Sequence, residues 1–310
     1  MSRIVVVGGI NMDLHLFHVT RSRDHDPLLA DRYVAQPGGK GANVARAASR
    51  LGAHVALIGR VGDDEFGHGC LVAIEADGVD TSGVVVTPDH ATGFVAIELA
   101  EGRHHSLIFA AGANDRLRWE DIEPSVIRLG PTDIVIAQAE IPVAALDRLA
   151  DFATRSRTTL FLDPTPPDRV SRQLLASTDV ITPDLLEAAR LVGRADTSPL
   201  WPELAARELR DAGATRVIIK TDEAGALLAD EHGLVRIPTL RVEPGDETGA
   251  GDVFLAALAV RRLEGADWET ATRFANAASA LSFAATGLML PAREQVDRAL
   301  EAAHDQPTGP

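Results

Sequence analysis

The stretch Ile134-Val-Ile-Ala-Gln-Ala-Glu-Ile-Pro-Val143, continuing through Ala144-Ala-Leu-Asp-Arg-Leu-Ala-Asp-Phe-Ala-Thr154 to Thr159-Leu-Phe-Leu-Asp163, decides the fold. Ile134 to Ile136 is a short unbroken apolar run, the pattern of a strand buried on both faces. Val143 to Thr154 has helical periodicity, and Thr159 to Leu162 is a second apolar run. Strand, helix and strand in that order make a βαβ unit. Outward from it the alternation continues. Strands are expected at Val180–Ile181 and Arg216–Ile219, and helices at Asp184–Val192 and Trp201–Ala212. Upstream lie a strand at Ile4–Val7 that ends on Gly8 and Gly9, a helix over Ala42–Leu51 stopped by Gly52, a strand at Val55–Ile58 and a helix over Phe66–Ala76. Downstream, a hairpin-like pair spans Ala226–Ile237, and helices follow at Ala250–Leu263, Trp268–Ala284 and Arg293–Ala303. Repeated alternation of continuous apolar strands with helices predicts an α/β fold: a doubly wound, mainly parallel sheet flanked by helices.

Two β-rich insertions interrupt this alternation. Leu14–Val19 with Arg32–Ala35 forms one. Gly93–Leu99 with Ser106–Phe109, joined by a turn at Glu101-Gly102, forms the other. They are expected to pair into a small separate sheet. Val84–Val86 also has strand character.

The 310-residue chain carries a net charge of −15. An acidic chain without a basic stretch argues against nucleic acid and anionic membranes as partners. The aromatic fraction of 4% leaves little to stack on bases. A single cysteine, Cys70, rules out a disulfide within the chain and a cysteine-based zinc site, and fits a reducing cytoplasm. The N-terminus does not read as a signal peptide, and the uncharged stretch Phe274–Ala292 reads as a buried helix followed by a loop.

Open α/β sheets bind ligands beyond the carboxyl ends of their strands. The polar residues that follow the apolar runs are Asn11 and Asp13, Gln138 and Glu140, Asp163, Thr182 to Glu187, and Thr221 to Asp222. The sharpest motif is Asp246-Glu-Thr-Gly-Ala-Gly-Asp252, directly before the helix that begins Val253-Phe254-Leu255. Gly249 and Gly251 let successive N–H groups face one cavity, and the helix start adds its positive dipole end. This makes an anion hole for a phosphoryl group, with Asp252 beside it to accept a hydroxyl proton. Gly38-Gly-Lys-Gly-Ala-Asn43 precedes another helix. It is not a Walker A loop, because no Ser or Thr follows Lys40 and the spacing differs.

Asn11-x-Asp13, Gly38-Gly-Lys-Gly-Ala-Asn43, Ala111-Gly-Ala-Asn114, Gln138-x-Glu140 and the run from Asp246 to Asp252 occur in that order. Together they resemble the ribokinase-like carbohydrate kinases of the phosphofructokinase B group, over roughly Arg3 to Ala303. The resemblance implies one kinase domain over residues 1–310 with lid segments at about 12–36 and 92–110. The lid would close over a sugar, exclude water and form a homodimer contact. Asn11, Asp13, Gly39, Lys40, Asn43 and Glu140 would hold sugar hydroxyls. Asp252 would be the general base, with the backbone of Gly249, Ala250 and Gly251 as anion hole. Asp184, Thr221, Asp222, Gly225 and Asn276 would line the nucleotide, with Asn276 near the adenine. Glu187 would hold magnesium through water, and Asp246 and Thr248 would bind a monovalent cation such as potassium. The implied cofactors are Mg2+ with ATP, and K+.

Several positions depart from the family pattern. Asp184-Leu-Leu-Glu187 replaces Asn-x-x-Glu, and Thr221-Asp-Glu223 replaces Thr-x-Gly. Ala285–Leu290 lacks the usual polar residues, and His104-His105 replaces an acidic or amide pair in the lid. Ribose is the leading substrate expectation. Fructose, a sugar phosphate, ketodeoxygluconate and a nucleoside are the alternatives. For a phosphorylated substrate Arg21, Arg23, Arg32 and Arg103 are at hand, and for a nucleoside Phe17, Phe94 and Phe109. A non-catalytic sugar or nucleotide sensor is the reading from another class. Among residues outside the motifs, His15, His18, His25, His104 and His105 match no metal-ligand spacing. Asp163-Pro-Thr-Pro166 reads as a rigid loop, Asp63-Asp-Glu65 as a solvated turn before a helix, and Trp119, Trp201 and Trp268 as packing or helix-start residues.

Overall fold

The computed structural model describes residues 3–17, 28–100, 103–194, 202–221, 224–243, 245, 248–285 and 287–304. His18, Arg21, Arg23, His25, Trp201, Asp222, Asp246 and the turn at Glu101-Gly102 lie outside the described residues. The N-terminal half runs β1 (Ile4–Val7), β2 (Asn11–Phe17), β3 (Arg32–Gly38), α1 (Lys40–Arg50), β4 (Val55–Gly62), α2 (Glu65–Ala76), β5 (Asp80–Thr87), β6 (Gly93–Ala100), β7 (Arg103–Ala110) and α3 (Trp119–Val126). The central part adds β8 (Ile134–Gln138), α4 (Val143–Ser156), β9 (Thr159–Asp163), α5 (Arg172–Ala176), β10 (Val180–Ile181), α6 (Leu185–Leu191), α7 (Pro202–Asp211) and β11 (Arg216–Lys220). Then come β12 (Ala226–Asp230), β13 (Gly233–Ile237), α8 (Ala250–Leu263), α9 (Trp268–Phe283) and α10 (Arg293–His304).

Nine strands form the large sheet in the order β13-β12-β11-β10-β9-β8-β1-β4-β5. All neighbours from β11 to β5 pair in parallel, and the β12 and β13 edge is antiparallel. Alternate side chains of each strand feed opposite faces. From β1, Ile4 and Val6 pack with Val44 of α1 and Leu255 of α8. Val5 and Val7 pack with Ile122 of α3 and Leu149 of α4. The sheet is covered on both faces, as the unbroken apolar runs require. Helix α8 is buried from Asp252 to Val260, so its all-round apolar sequence reflects a core position.

Strand β1 is where the winding reverses: β4 and β5 build outward on one side, β8 to β11 on the other. A crevice opens at such a point beyond the carboxyl ends of the strands. The two insertions pair as expected, in a four-stranded sheet of order β3-β2-β6-β7. Strand β2, one of its two inner strands, begins at Asn11, which pairs with both Gly38 and Gly93. Asn11 and Asp13 are therefore strand residues facing the crevice rather than loop residues. Val84–Val86 belongs to β5, an edge of the large sheet. Helices α3 and α5 span eight and five residues, too short to show a clear period in the sequence.

Candidate active site

The first wall of the crevice is built on β2. Asn11 and Asp13 are 0% and 6% exposed. Asn114 fixes the first of them: its Oδ1 accepts from Ile10 N at 3.0 Å, and its Nδ2 donates to Ile10 O at 3.1 Å and Asn11 Oδ1 at 2.8 Å. Asn11 Nδ2 in turn donates to Glu140 Oε2 at 3.2 Å. Gln138 braces the same corner, accepting from Gly9 N at 3.1 Å and donating to Thr165 O at 2.7 Å. Gly39 has φ of 90°, and a Cβ there would lie 2.6 Å from Asn11 N, so the turn demands glycine. Its N–H bonds to the Asp13 carboxylate.

Burial drives Asp13 and Glu140 to about 7 each. The Asp252 charge adds to the rise at Asp13, and Lys40 only partly opposes it at Glu140. Asp13 Oδ1 and Asn43 Oδ1 are buried acceptors without a partner among the described residues. Buried polar groups are rarely left unsatisfied, and hydroxyl donors of a ligand suit these two.

At the centre stands a charge cluster. Lys40 opens α1, where a cation opposes the helix dipole. Its Nζ is held 3.1 Å from both Asp163 Oδ2 and Asp252 Oδ1. Asn43, one turn along, donates to Asp252 Oδ2 at 2.9 Å. Burial opposes the charge of Lys40, but Asp163, Asp252, Glu187 and Glu140 around it raise its affinity for the proton. At Asp163 burial is outweighed by Lys40, Lys220 and the Thr165 hydroxyl, which hold the carboxyl low. Asp252 is pushed up by burial and by Asp163, against the pull of Lys40 and Asn43. The Asp163-Pro-Thr-Pro166 segment is thus more than a rigid loop. Its aspartate is 1% exposed and shares a lysine with Asp252.

The third wall is the start of α8. Gly249 caps it in the left-handed region, with φ of 77°, and Val253 N returns to Gly249 O at 2.9 Å. Asp252 lies in the first turn and is 3% exposed. Ala250 O accepts from Ser279 Oγ on α9 at 2.9 Å, which anchors the turn. Thr248 beside it is buried.

The expected nucleotide side lies along the next strand ends. Thr221 is buried at the end of β11, and both its N (2.8 Å) and its Oγ1 (3.0 Å) donate to Gly225 O. Asn276 donates to Ile237 O at 2.8 Å and Pro238 O at 3.2 Å, so it secures the segment after β13. Asp184 caps α6 in a reciprocal box: its Oδ1 accepts from Glu187 N at 2.7 Å, and Glu187 Oε2 accepts from Asp184 N at 2.8 Å. Thr165 Oγ1 bridges Asp163 and Glu187. Both Glu187 oxygens thus meet protein donors, a geometry that suits contact with a hydrated cation. No group of three or more His, Cys, Asp or Glu among the described residues is arranged to hold a metal ion. Magnesium that arrives on a nucleotide needs no such cage.

The structure thus gathers Asn11, Asp13, Gly39, Lys40, Asn43, Glu140, Gly249, Ala250, Gly251 and Asp252 around one crevice. Sequence reasoning missed Asp163 as a partner of Lys40, although its place after an apolar strand was the available signal.

A family model described as "pfkB family carbohydrate kinase" matches residues 1–295. The chain is 34% identical to a ribokinase of Bacillus subtilis over 302 residues, 97% of this chain and 100% of that one. It is 28% identical to a deoxyribokinase of Salmonella typhi, covering 92% and 93% of the two chains. An Arabidopsis thaliana ribokinase structure with ribose and ATP superposes with a TM-score of 0.86 at 27% identity, covering 97% of this chain and 99% of that one.

Proposed function

Because this chain belongs to the pfkB family of carbohydrate kinases, we propose that it transfers the γ-phosphoryl group of ATP to a hydroxyl of ribose, with Asp252 as general base. The carrying observation is that the buried Asp252 carboxylate and the N-terminus of α8 open on the same crevice as the unsatisfied acceptors of Asp13 and Asn43. The ribokinase names of the relatives support ribose in particular.

The sugar binds through Asn11, Asp13, Gly39, Asn43 and Glu140, which offer acceptors and amide donors to a ring of hydroxyls. Lys40 has two carboxylate partners and keeps a third N–H for the substrate. Asp252 takes the proton of the attacked hydroxyl, and its raised proton affinity favours that transfer. The N–H groups of Gly249 to Gly251 receive the charge that spreads over the phosphoryl oxygens. Thr221, Gly225, Asn276 and Asp184 shape the nucleotide side, with Asp222 as a further contact. Glu187 would hold Mg2+ through water, and the ion would neutralise phosphate charge. Thr248 and Asp246 would hold K+ beside the anion hole.

The small sheet acts as a lid, and its exposed apolar residues, Tyr33, Leu107 and Ile108, form a homodimer contact. Use of ATP and a single buried thiol accord with the cytoplasm.

A coupled ADP-release assay tests the reading. The panel is ribose, deoxyribose, fructose, fructose phosphates, ketodeoxygluconate, adenosine and pseudouridine, each with and without potassium. Ribose is expected to give the highest kcat/KM. No turnover with any sugar would shift the reading to a sensor.

A further inference from the structure

The sequence contains 30 lysines and arginines, and only two of them, Lys40 and Lys220, are lysines. Both converge on Asp163. Lys40 is committed to two carboxylates. Lys220 closes no salt bridge within the described residues.

Lys220 ends β11, behind the buried Val217, Ile218 and Ile219. Its N–H donates to Pro183 O at 2.9 Å, which fixes the strand end against the loop leading to Asp184. From there the side chain reaches across the crevice to α8. A Cβ built on Gly251 would meet one neighbour, Lys220 Nζ, at 3.1 Å. The bare face of Gly251 and the ammonium therefore share one space, open towards the N–H groups of the helix start. Two positive features, the N-terminus of α8 and the Lys220 ammonium, meet beside Gly251. That point lies beside the proton acceptor Asp252. A lysine suits the place because a compact ammonium can follow a group that moves between two oxygens, whereas a planar guanidinium imposes its own geometry.

We propose that Lys220 is a catalytic residue that grips the transferring phosphoryl group together with the backbone of Gly249 to Gly251. This rests on the kinase reading of the site. In the step, the hydroxyl proton passes to the Asp252 carboxylate and the hydroxyl oxygen bonds to the γ-phosphorus. The bond from that phosphorus to the bridging oxygen breaks, and its electron pair leaves on ADP. Lys220 neither gives nor takes a proton. It balances the charge on the phosphoryl oxygens throughout.

Lys220→Met and Lys220→Arg test this by two readouts. The first is steady-state kinetics: Lys220→Met is expected to lose at least about 100-fold in kcat, as for removal of an anion-hole donor, with KM for the sugar within about twofold. The second is calorimetry with the Mg2+ complexes of a non-hydrolysable ATP analogue and of ADP. Lys220→Met should lose at least about tenfold of its preference for the triphosphate, the effect of one charge-assisted hydrogen bond, and Lys220→Arg should keep most of it. Lys220→Gln repeats both measurements should Lys220→Met fail to fold. An unchanged kcat overturns the proposal. So does a fallen kcat with the triphosphate preference intact, which would mark Lys220 as structural. Should wild type phosphorylate no sugar, the kinase reading fails, while the nucleotide preference still decides whether Lys220 meets the terminal phosphate.

Discussion

Asp13→Asn should make the sugar-free protein more stable while weakening its hold on the sugar. Asp13 is buried on β2, and its folded carboxyl is raised from 3.8 to about 7, first by burial and then by the charge of Asp252. Between about pH 4 and pH 7 the folded protein therefore keeps a proton that the unfolded chain has released. More protons bound in the folded state means that stability falls as pH rises across that window and is flat above it. At ~1.4 kcal/mol per pH unit, ionised Asp13 costs the fold about 4 kcal/mol above pH 7 and about 2 kcal/mol at pH 5. Asparagine carries no such cost and can still accept the Gly39 N–H. Urea melts of both proteins without sugar, from about pH 5 to about pH 8, measure the difference. The stability gap in favour of Asp13→Asn should widen by about 2–3 kcal/mol from the acid end to the neutral end and then stop widening. Other titrating groups largely cancel in the comparison. A gap that is constant with pH would show that Asp13 ionises normally, and the electrostatic account of the sugar wall would fall. Sugar hydroxyls donate to the ionised form, so affinity in wild type should rise with pH up to about 7 and lose that slope in the variant.

Asp252→Asn should cut kcat by at least about 100-fold, the lower range for loss of a general base, and leave sugar affinity largely intact; near-normal turnover would remove it from the base role. Asn114→Ala removes three buried hydrogen bonds that hold Ile10 and Asn11. It should cost about 2–4 kcal/mol in a urea melt and raise KM for the sugar more than it lowers kcat. A destabilised variant with unchanged KM would show that Asn114 serves the fold alone. Ile108→Asp puts a charge on the exposed face of β7 and should yield a monomer by sedimentation velocity, whereas an unaltered dimer would move the contact elsewhere.

The fold was legible because its signals are local. Unbroken apolar runs as short as Ile134–Ile136 and Val217–Ile219, alternating with longer helical stretches, fit strands with both faces covered. The small sheet was legible as the part that broke the alternation. The start of β2 at Asn11 was not, because it depends on pairing with Gly38 and Gly93, which lie 27 and 82 positions away. The glycine turn, the start of α8 and the buried carboxylate could be read from Gly249 to Asp252, since they are contiguous. The partners of Lys40 could not. Asp163 and Asp252 come from two distant strand and helix ends, and only the topology brings them to one ammonium. Asp163 also sits in a proline-rich segment whose stiffness offered a sufficient explanation by itself. Asn276, expected near the adenine, also donates to the carbonyls of Ile237 and Pro238 at the end of β13. A buried amide in a helix has both options, and sequence alone does not show the second.

The charges around the crevice divide it into two chemically different halves. On the sugar side stand Asp13 and Glu140, both resisting ionisation because they are buried near other carboxylates. Arg32 lies over the Phe17 ring, Arg46 pairs with Asp77, and Arg169 pairs with Asp115 while donating to the backbone O of Glu140 at 3.1 Å. A phosphorylated sugar would bring two more negative charges to a wall whose two acids are already pushed up by burial. A neutral polyol brings no charge, and its O–H groups supply the donors that the open oxygens of Asp13 and Asn43 lack. On the other side stand the N-terminus of α8 and the lysine that ends β11, built for an anion. Asp252, held by Lys40 and Asn43 from α1, lies at the seam. Uncharged hydroxyls on one side and phosphate on the other suit this division, and in the proposed mechanism the carboxylate between them would take a proton as the phosphoryl group crosses.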